Sequence, residues 1–129
     1  MCLCYANKIN PEKDIICYKI FVKKKSTDNL HSVYYDYIWE TNVLQSTHTD
    51  EPDFYQNKFD KSCVCIDGHA FHTFKFLEDA KQFKQQFNNY KNFVIYECVI
   101  PKTSKFVYLG VFGTLPSYAS EKLLVKKMI

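Results

Sequence analysis

The sequence predicts an α+β fold: a twisted, mainly antiparallel or mixed (split) β-sheet of about five or six strands, packed with one principal helix at about residues 76–88. Three observations predict it. Short runs rich in β-branched and aromatic residues recur along the chain, the clearest being residues 15–22 (IICYKIFV), 93–100 and 122–128. One segment alone has helical spacing, with Phe76, Leu77, Ala80, Phe83 and Phe87 apolar. The chain has 129 residues, 47% of them hydrophobic and 24% charged, which suits a single domain around one core, so residues 1–129 are read as one unit.

In chain order, residues 1–14 are polar, include Pro11, and read as an N-terminal arm. Residues 15–22 then alternate, with Ile16, Tyr18, Ile20 and Val22 on one face and Cys17, Lys19 and Phe21 on the other. Lys19 is the one charge in this otherwise apolar strand. Ser26-Thr27-Asp28-Asn29 supplies turn chemistry before a second β pattern at 30–39, so the two read as a hairpin. Over 40–61 the periodicity fades into polar residues, a long loop or lid whose length points to a functional or locally ordered role.

Residues 63–74 read as a strand interrupted at Asp67-Gly68. The helix that follows carries Glu78 and Asp79 in its first turn, where the backbone dipole favours acids, and Asn88-Asn89 ends it. The strand at 93–100 stops at Pro101. A short strand at 106–109, a flexible loop at 110–116 and a final strand at 122–128 complete the chain.

Composition removes several function classes. The net charge of +3, from 17 Lys and Arg against 14 Asp and Glu, falls short of a nucleic-acid footprint, and Lys23-Lys24-Lys25 reads as a solvated turn first and a phosphate contact second. No run approaches the roughly 18 apolar residues of a membrane span. The six cysteines, with no apolar leader before Cys2 and Cys4, read as reduced thiols of a cytoplasmic protein.

Cys63-x-Cys65 followed by His69 and His72 resembles a zinc ligand set. Its CxC gap is narrow, however, and the two histidines, three apart on a strand, point to opposite faces, so no metal is expected. Cys17 and Cys98 sit mid-strand, where a thiol is an inert small hydrophobe. No nucleophile elbow, zincin helix, phosphate loop or dinucleotide fingerprint is present, and no cofactor is expected.

Aromatic residues make up 17% of the chain, and they serve as core or as stacking surfaces for flat ligands. The candidate ligand contacts are the aromatic faces of Tyr35, Trp39 and Tyr118, with Lys19, His72 and Ser120 supplying charge or hydrogen bonds.

Four segments carry a resemblance: DIICYK at 14–19, GHAFHTFKFLEDA at 68–80, ECVIPK at 97–102 and YASEK at 118–122. In these the chain is similar to a group of small bacterial and phage proteins, a resemblance that brings a setting but no activity. Over 15–21 and 68–128 the strand-helix-strand order, with a late polar triplet, also resembles small ADP-ribosyltransferase-type domains. Active members carry His or Arg on the first strand where this chain has Tyr18-Lys19-Ile20, so the resemblance implies a degenerate pocket that retains nucleotide binding.

The resulting expectation is a non-enzymatic binder of a small anionic nucleotide-like ligand. In a phage setting it would act in the host cytoplasm as a counter-defence protein that sequesters a host immune signal. The alternatives are an ADP-ribosyl-transferring or NAD-cleaving enzyme in which Glu121 acts, and an inhibitor that binds a host protein through exposed aromatics. Oligomeric state is left open.

Overall fold

The computed structural model describes residues 3–23, 29–33, 37–60, 63–86 and 92–129. The described residues are mostly β, 54% strand and 8% helical, which overturns the expected α+β sheet of five or six strands with a principal helix. Among the described residues the strands are β1 (Cys4–Lys8), β2 (Ile15–Lys23), β3 (Leu30–Ser32), β4 (Ile38–Trp39), β5 (Leu44–Ser46), β6 (Phe54–Gln56), β7 (Val64–Ile66) and β8 (Phe71–Phe74). After α1 (Leu77–Gln85) come β9 (Phe93–Ile100), β10 (Val107–Phe112), β11 (Leu115–Ser120) and β12 (Lys122–Met128).

Ten strands form one antiparallel sheet in the order β1-β10-β11-β8-β2-β9-β12-β5, with β3 on β2 and β4 on β3; β6 and β7 form a separate hairpin. The segment read as an arm supplies edge strand β1. The segment read as a long loop or lid contributes β5 and β6, and the loop expected at 110–116 is a continuous hairpin whose turn holds Gly113 at φ +62°.

The helix is shorter than expected. Phe76 is extended and serves as N-cap with no side-chain cap hydrogen bond, and residues 87 and 88 lie outside the described residues. Only Ala80 and Phe83 of the helix are buried. A helix of this length has little stability of its own and is held by docking that face on the sheet, where Ala80 and Phe83 pack with Ile20, Phe74, Phe93 and Ile95.

The opposite face of the sheet carries a larger core built around Cys17, Phe21, Trp39, Phe71, Ile100, Leu123 and Val125. The alternation in β2 explains the division: Cys17 and Phe21 point one way and Ile20 the other, and each apolar side chain removed from water contributes about 1.5–3 kcal/mol. Strand β9 pairs with β2 along its whole length, from Ile15↔Ile100 to Val22↔Phe93.

The other edge of β2 is divided. It meets β8 at Tyr18↔Phe74 and β3 at Phe21↔Ser32 through Lys23↔Leu30. The main sheet therefore forks beside Lys19 and Ile20. No helix among the described residues is long and apolar enough to cross a membrane.

Candidate functional site

A hollow of about 410 Å³ occupies this fork, within the size range of small-molecule sites. It touches both cores, since Trp39 and Phe71 of one and Ile20, Phe74 and Phe83 of the other line it. The β7–β8 connection contributes Asp67, Gly68, His69 and Ala70, while Ser46 and Thr47 close it from β5.

Lys19 and His72 are its polar centre. The Lys19 ammonium donates a hydrogen bond to the His72 backbone carbonyl at 2.8 Å and lies 5.8 Å from the Trp39 ring and 5.9 Å from that of Phe21. Among the described residues no carboxylate stands within ion-pair distance of it. Burial pushes its amine down to about 8, because an ammonium that loses water without gaining a counter-charge is disfavoured.

His72 is 5% exposed. Its Nε2 lies 3.1 Å from the Asp67 carbonyl, an acceptor only, so Nε2 carries the hydrogen and Nδ1 is a bare acceptor. Nδ1 has no hydrogen-bond partner. Burial, followed by the Lys19 charge, pushes the imidazole down to about 4 against the opposing pull of the Asp67 carbonyl, so His72 is neutral at physiological pH.

The aromatic wall is held by one hydrogen bond and by ring packing. Trp39 donates from Nε1 to Ser32 Oγ at 2.7 Å and packs on Phe71 with ring centroids 4.7 Å apart and on Tyr37 at 4.9 Å. At the rim, His69 Nδ1 meets Asp53 Oδ2 at 2.7 Å. His69 adopts φ +55°, and a Cβ on Gly68 would fall 2.5 Å from that same carboxylate oxygen.

Of the residues singled out in the sequence, Lys19, Trp39 and His72 meet around the hollow. Tyr35 lies outside the described residues. Tyr118 is 7% exposed and packs in the apolar core, and Ser120 turns its hydroxyl to the Lys122 carbonyl at 2.9 Å; neither lines the hollow.

Glu121 is 1% exposed and also stands outside the lining. Its carboxylate accepts from the Ser46 hydroxyl and, at 2.8 Å, from the Lys105 amide, with the Lys122 ammonium 3.6 Å away. Burial opposes its ionisation, but these donors and the lysine outweigh it and hold the carboxyl below its ordinary value. Glu121 thus ties β12 to β5 and to the 101–106 turn.

Tyr37, Phe71 and Asp67 line the hollow without having been singled out. Tyr37 belongs to the same aromatic run as Tyr35, and the alternation of that run gives no sign of which member faces a void. No protein-family model, curated protein or solved structure matches the chain.

Proposed function

We propose that the chain binds, without turning it over, a small, flat, anionic ligand of the nucleotide class in the hollow beside Lys19. The observation that carries this reading is a half-buried ammonium with no carboxylate partner among the described residues, set in an apolar hollow beside the buried imidazole of His72. A phosphate or other anion supplies the missing counter-charge. Trp39, Tyr37 and Phe71 offer apolar faces for the flat part of such a ligand.

The setting that goes with this reading is cytoplasmic, with reduced thiols. In a phage, the protein would sequester a nucleotide signal of the host's defence. Sequestration needs affinity and no reacting group, which agrees with Glu121 standing outside the lining with its oxygens engaged.

Isothermal calorimetry against mononucleotides, cyclic nucleotides and ADP-ribose tests the proposal. Stoichiometric binding is expected for at least one of them. Lys19→Met should weaken it about 10- to 100-fold, the worth of a hydrogen bond to a charged group. No heat up to high micromolar ligand across the panel, or binding indifferent to Lys19→Met, overturns it. Nicotinamide release from NAD by the wild-type chain replaces the binder with the enzyme.

A further inference from the structure

A second group of side chains lies away from the hollow, where β1 meets the β6–β7 hairpin. Leu3 and Ile66 exchange backbone hydrogen bonds of 2.9 and 2.8 Å, joining the hairpin to the N-terminal segment. This brings Cys4 beside Cys63 and Cys65. The Sγ atoms of Cys4 and Cys65 are 2.8 Å apart and those of Cys63 and Cys65 are 3.6 Å apart, and all three lie within 4.8 Å of one another. The Tyr5 amide points at Cys63 Sγ from 3.4 Å, as a backbone donor does toward a thiolate.

The local backbone is built to make this meeting. Tyr5 adopts φ +52°, a left-handed conformation costly for a tyrosine, within a register shift of β1 between Cys4 and Asn7. Opposite it, Gly110 of β10 lets β1 come close: a Cβ there would lie 2.5 Å from the Cys4 carbonyl oxygen and 3.1 Å from Ala6 Cα. Tyr5 is fastened at its far end by a 2.7 Å hydrogen bond from its hydroxyl to Asp60.

We propose that Cys4, Cys63 and Cys65 form a thiolate site for a thiophilic d¹⁰ cation, zinc above all, which clamps the β6–β7 hairpin to edge strand β1. Zinc–sulfur bonds of about 2.3 Å at tetrahedral angles set sulfurs about 3.8 Å apart, so Cys4 and Cys65, at 2.8 Å, would part by about 1 Å to take the ion while Cys63 and Cys65, at 3.6 Å, already stand close to that spacing. Binding deprotonates the three thiols and releases their protons to the buffer, and the cation offsets the charge of thiolates in a site where Cys63 and Cys65 are 1% and 0% exposed. Cys4 is half-buried and gives the ion its approach. The site the sequence invited, Cys63 and Cys65 with His69 and His72, does not assemble, because His69 is engaged by Asp53 and His72 faces the hollow.

The test uses the full chain, purified under reductant and stripped with chelator. Titration with Zn²⁺ should show one equivalent bound in competition with a chromophoric chelator. Co²⁺ should give thiolate-to-metal charge transfer with the intense d–d bands of tetrahedral geometry. Alkylation and mass spectrometry of the wild-type chain, which require no variant to fold, should show Cys4, Cys63 and Cys65 protected by Zn²⁺ and modified without it. Cys4→Ser should abolish stoichiometric binding. Absence of binding, a cobalt spectrum without thiolate charge transfer, equal alkylation in both states, or a Cys4–Cys65 disulfide that persists under reductant overturns the proposal.

Discussion

The fork beside Lys19 and the sulfur cluster at Cys65 solve opposite problems with the same sheet. The fork lies at the centre, where β2 divides its edge between β8 and β3, and among the described residues it leaves a cation without a carboxylate and an imidazole nitrogen without a hydrogen-bond partner. The cluster lies at the edge, where β1 and the β6–β7 hairpin drive three like side chains together. Central strands with fixed register hold polar groups unsatisfied because packing on both faces over-determines them. An edge strand has no such support and must be fastened. Each place therefore has its own vulnerability, acid for the hollow and the loss of a close backbone approach for the cluster.

The largest separation between them is expected on acidification. The His72 imidazole titrates at about 4 in the fold against 6.5 ordinarily, so the unfolded chain takes up its proton first as pH falls. Its contribution is present above pH 6.5 and is lost progressively between about 6.5 and 4, by about 3 kcal/mol in all. Chemical denaturation at pH 7 and 4.5 measures this, and His72→Gln should flatten the profile. An equally steep profile in the variant assigns the acid sensitivity elsewhere.

Gly110→Ala probes the edge. The added methyl group meets backbone atoms of Cys4 and Ala6 that cannot swing aside, so β1 is expected to shift, at about 2 kcal/mol, while Zn²⁺ binding is lost and ligand binding at the hollow is retained. Denaturation midpoints and the two titrations read all three effects. Loss of both binding functions together would join regions that the structure keeps apart.

The smallest effect has the opposite sign. Lys19→Met exchanges a desolvated, unpaired ammonium for an apolar side chain of similar length and should raise stability by about 1 kcal/mol while weakening the ligand. A thermal melt showing destabilisation would mean that the contacts of Lys19 with Trp39 and with the His72 carbonyl outweigh its desolvation.

Much of the central sheet was legible because its strands are long and alternate. β9 and β12 fall at the residues their patterns predict, and β2 within a residue of them. Strands β3 to β7 are two or three residues long, too short for a period of two to register. β1 alternates weakly because most of its side chains are exposed, and polar residues on an edge strand read as an arm. The sheet was therefore undercounted and the helix over-weighted. Phe76 has the spacing of a helical residue, yet it is half-exposed and caps the helix from outside.

The sites follow the same division. Lys19 was legible because a lone charge in a buried strand stands out from its neighbours. Tyr118 was not separable from a ligand contact, since alternation tells which face a side chain takes and not whether that face is filled. The cysteine cluster was hidden by distance: Cys4 reaches Cys63 and Cys65 through the Leu3–Ile66 bridge, which no local pattern announces, and the nearby histidines offered a more local partnership that does not assemble.

The pairing of β1 with β10 bears on how the protein is made. Cys4 and Lys8 are synthesised about a hundred residues before their partners Val111 and Tyr108. Through that interval β1 has the β6–β7 hairpin to contact, by way of Leu3 and Ile66, but no edge of the main sheet to join. A nascent chain arrested before β10 therefore holds the hairpin and β1 together with no β10 for either to dock on.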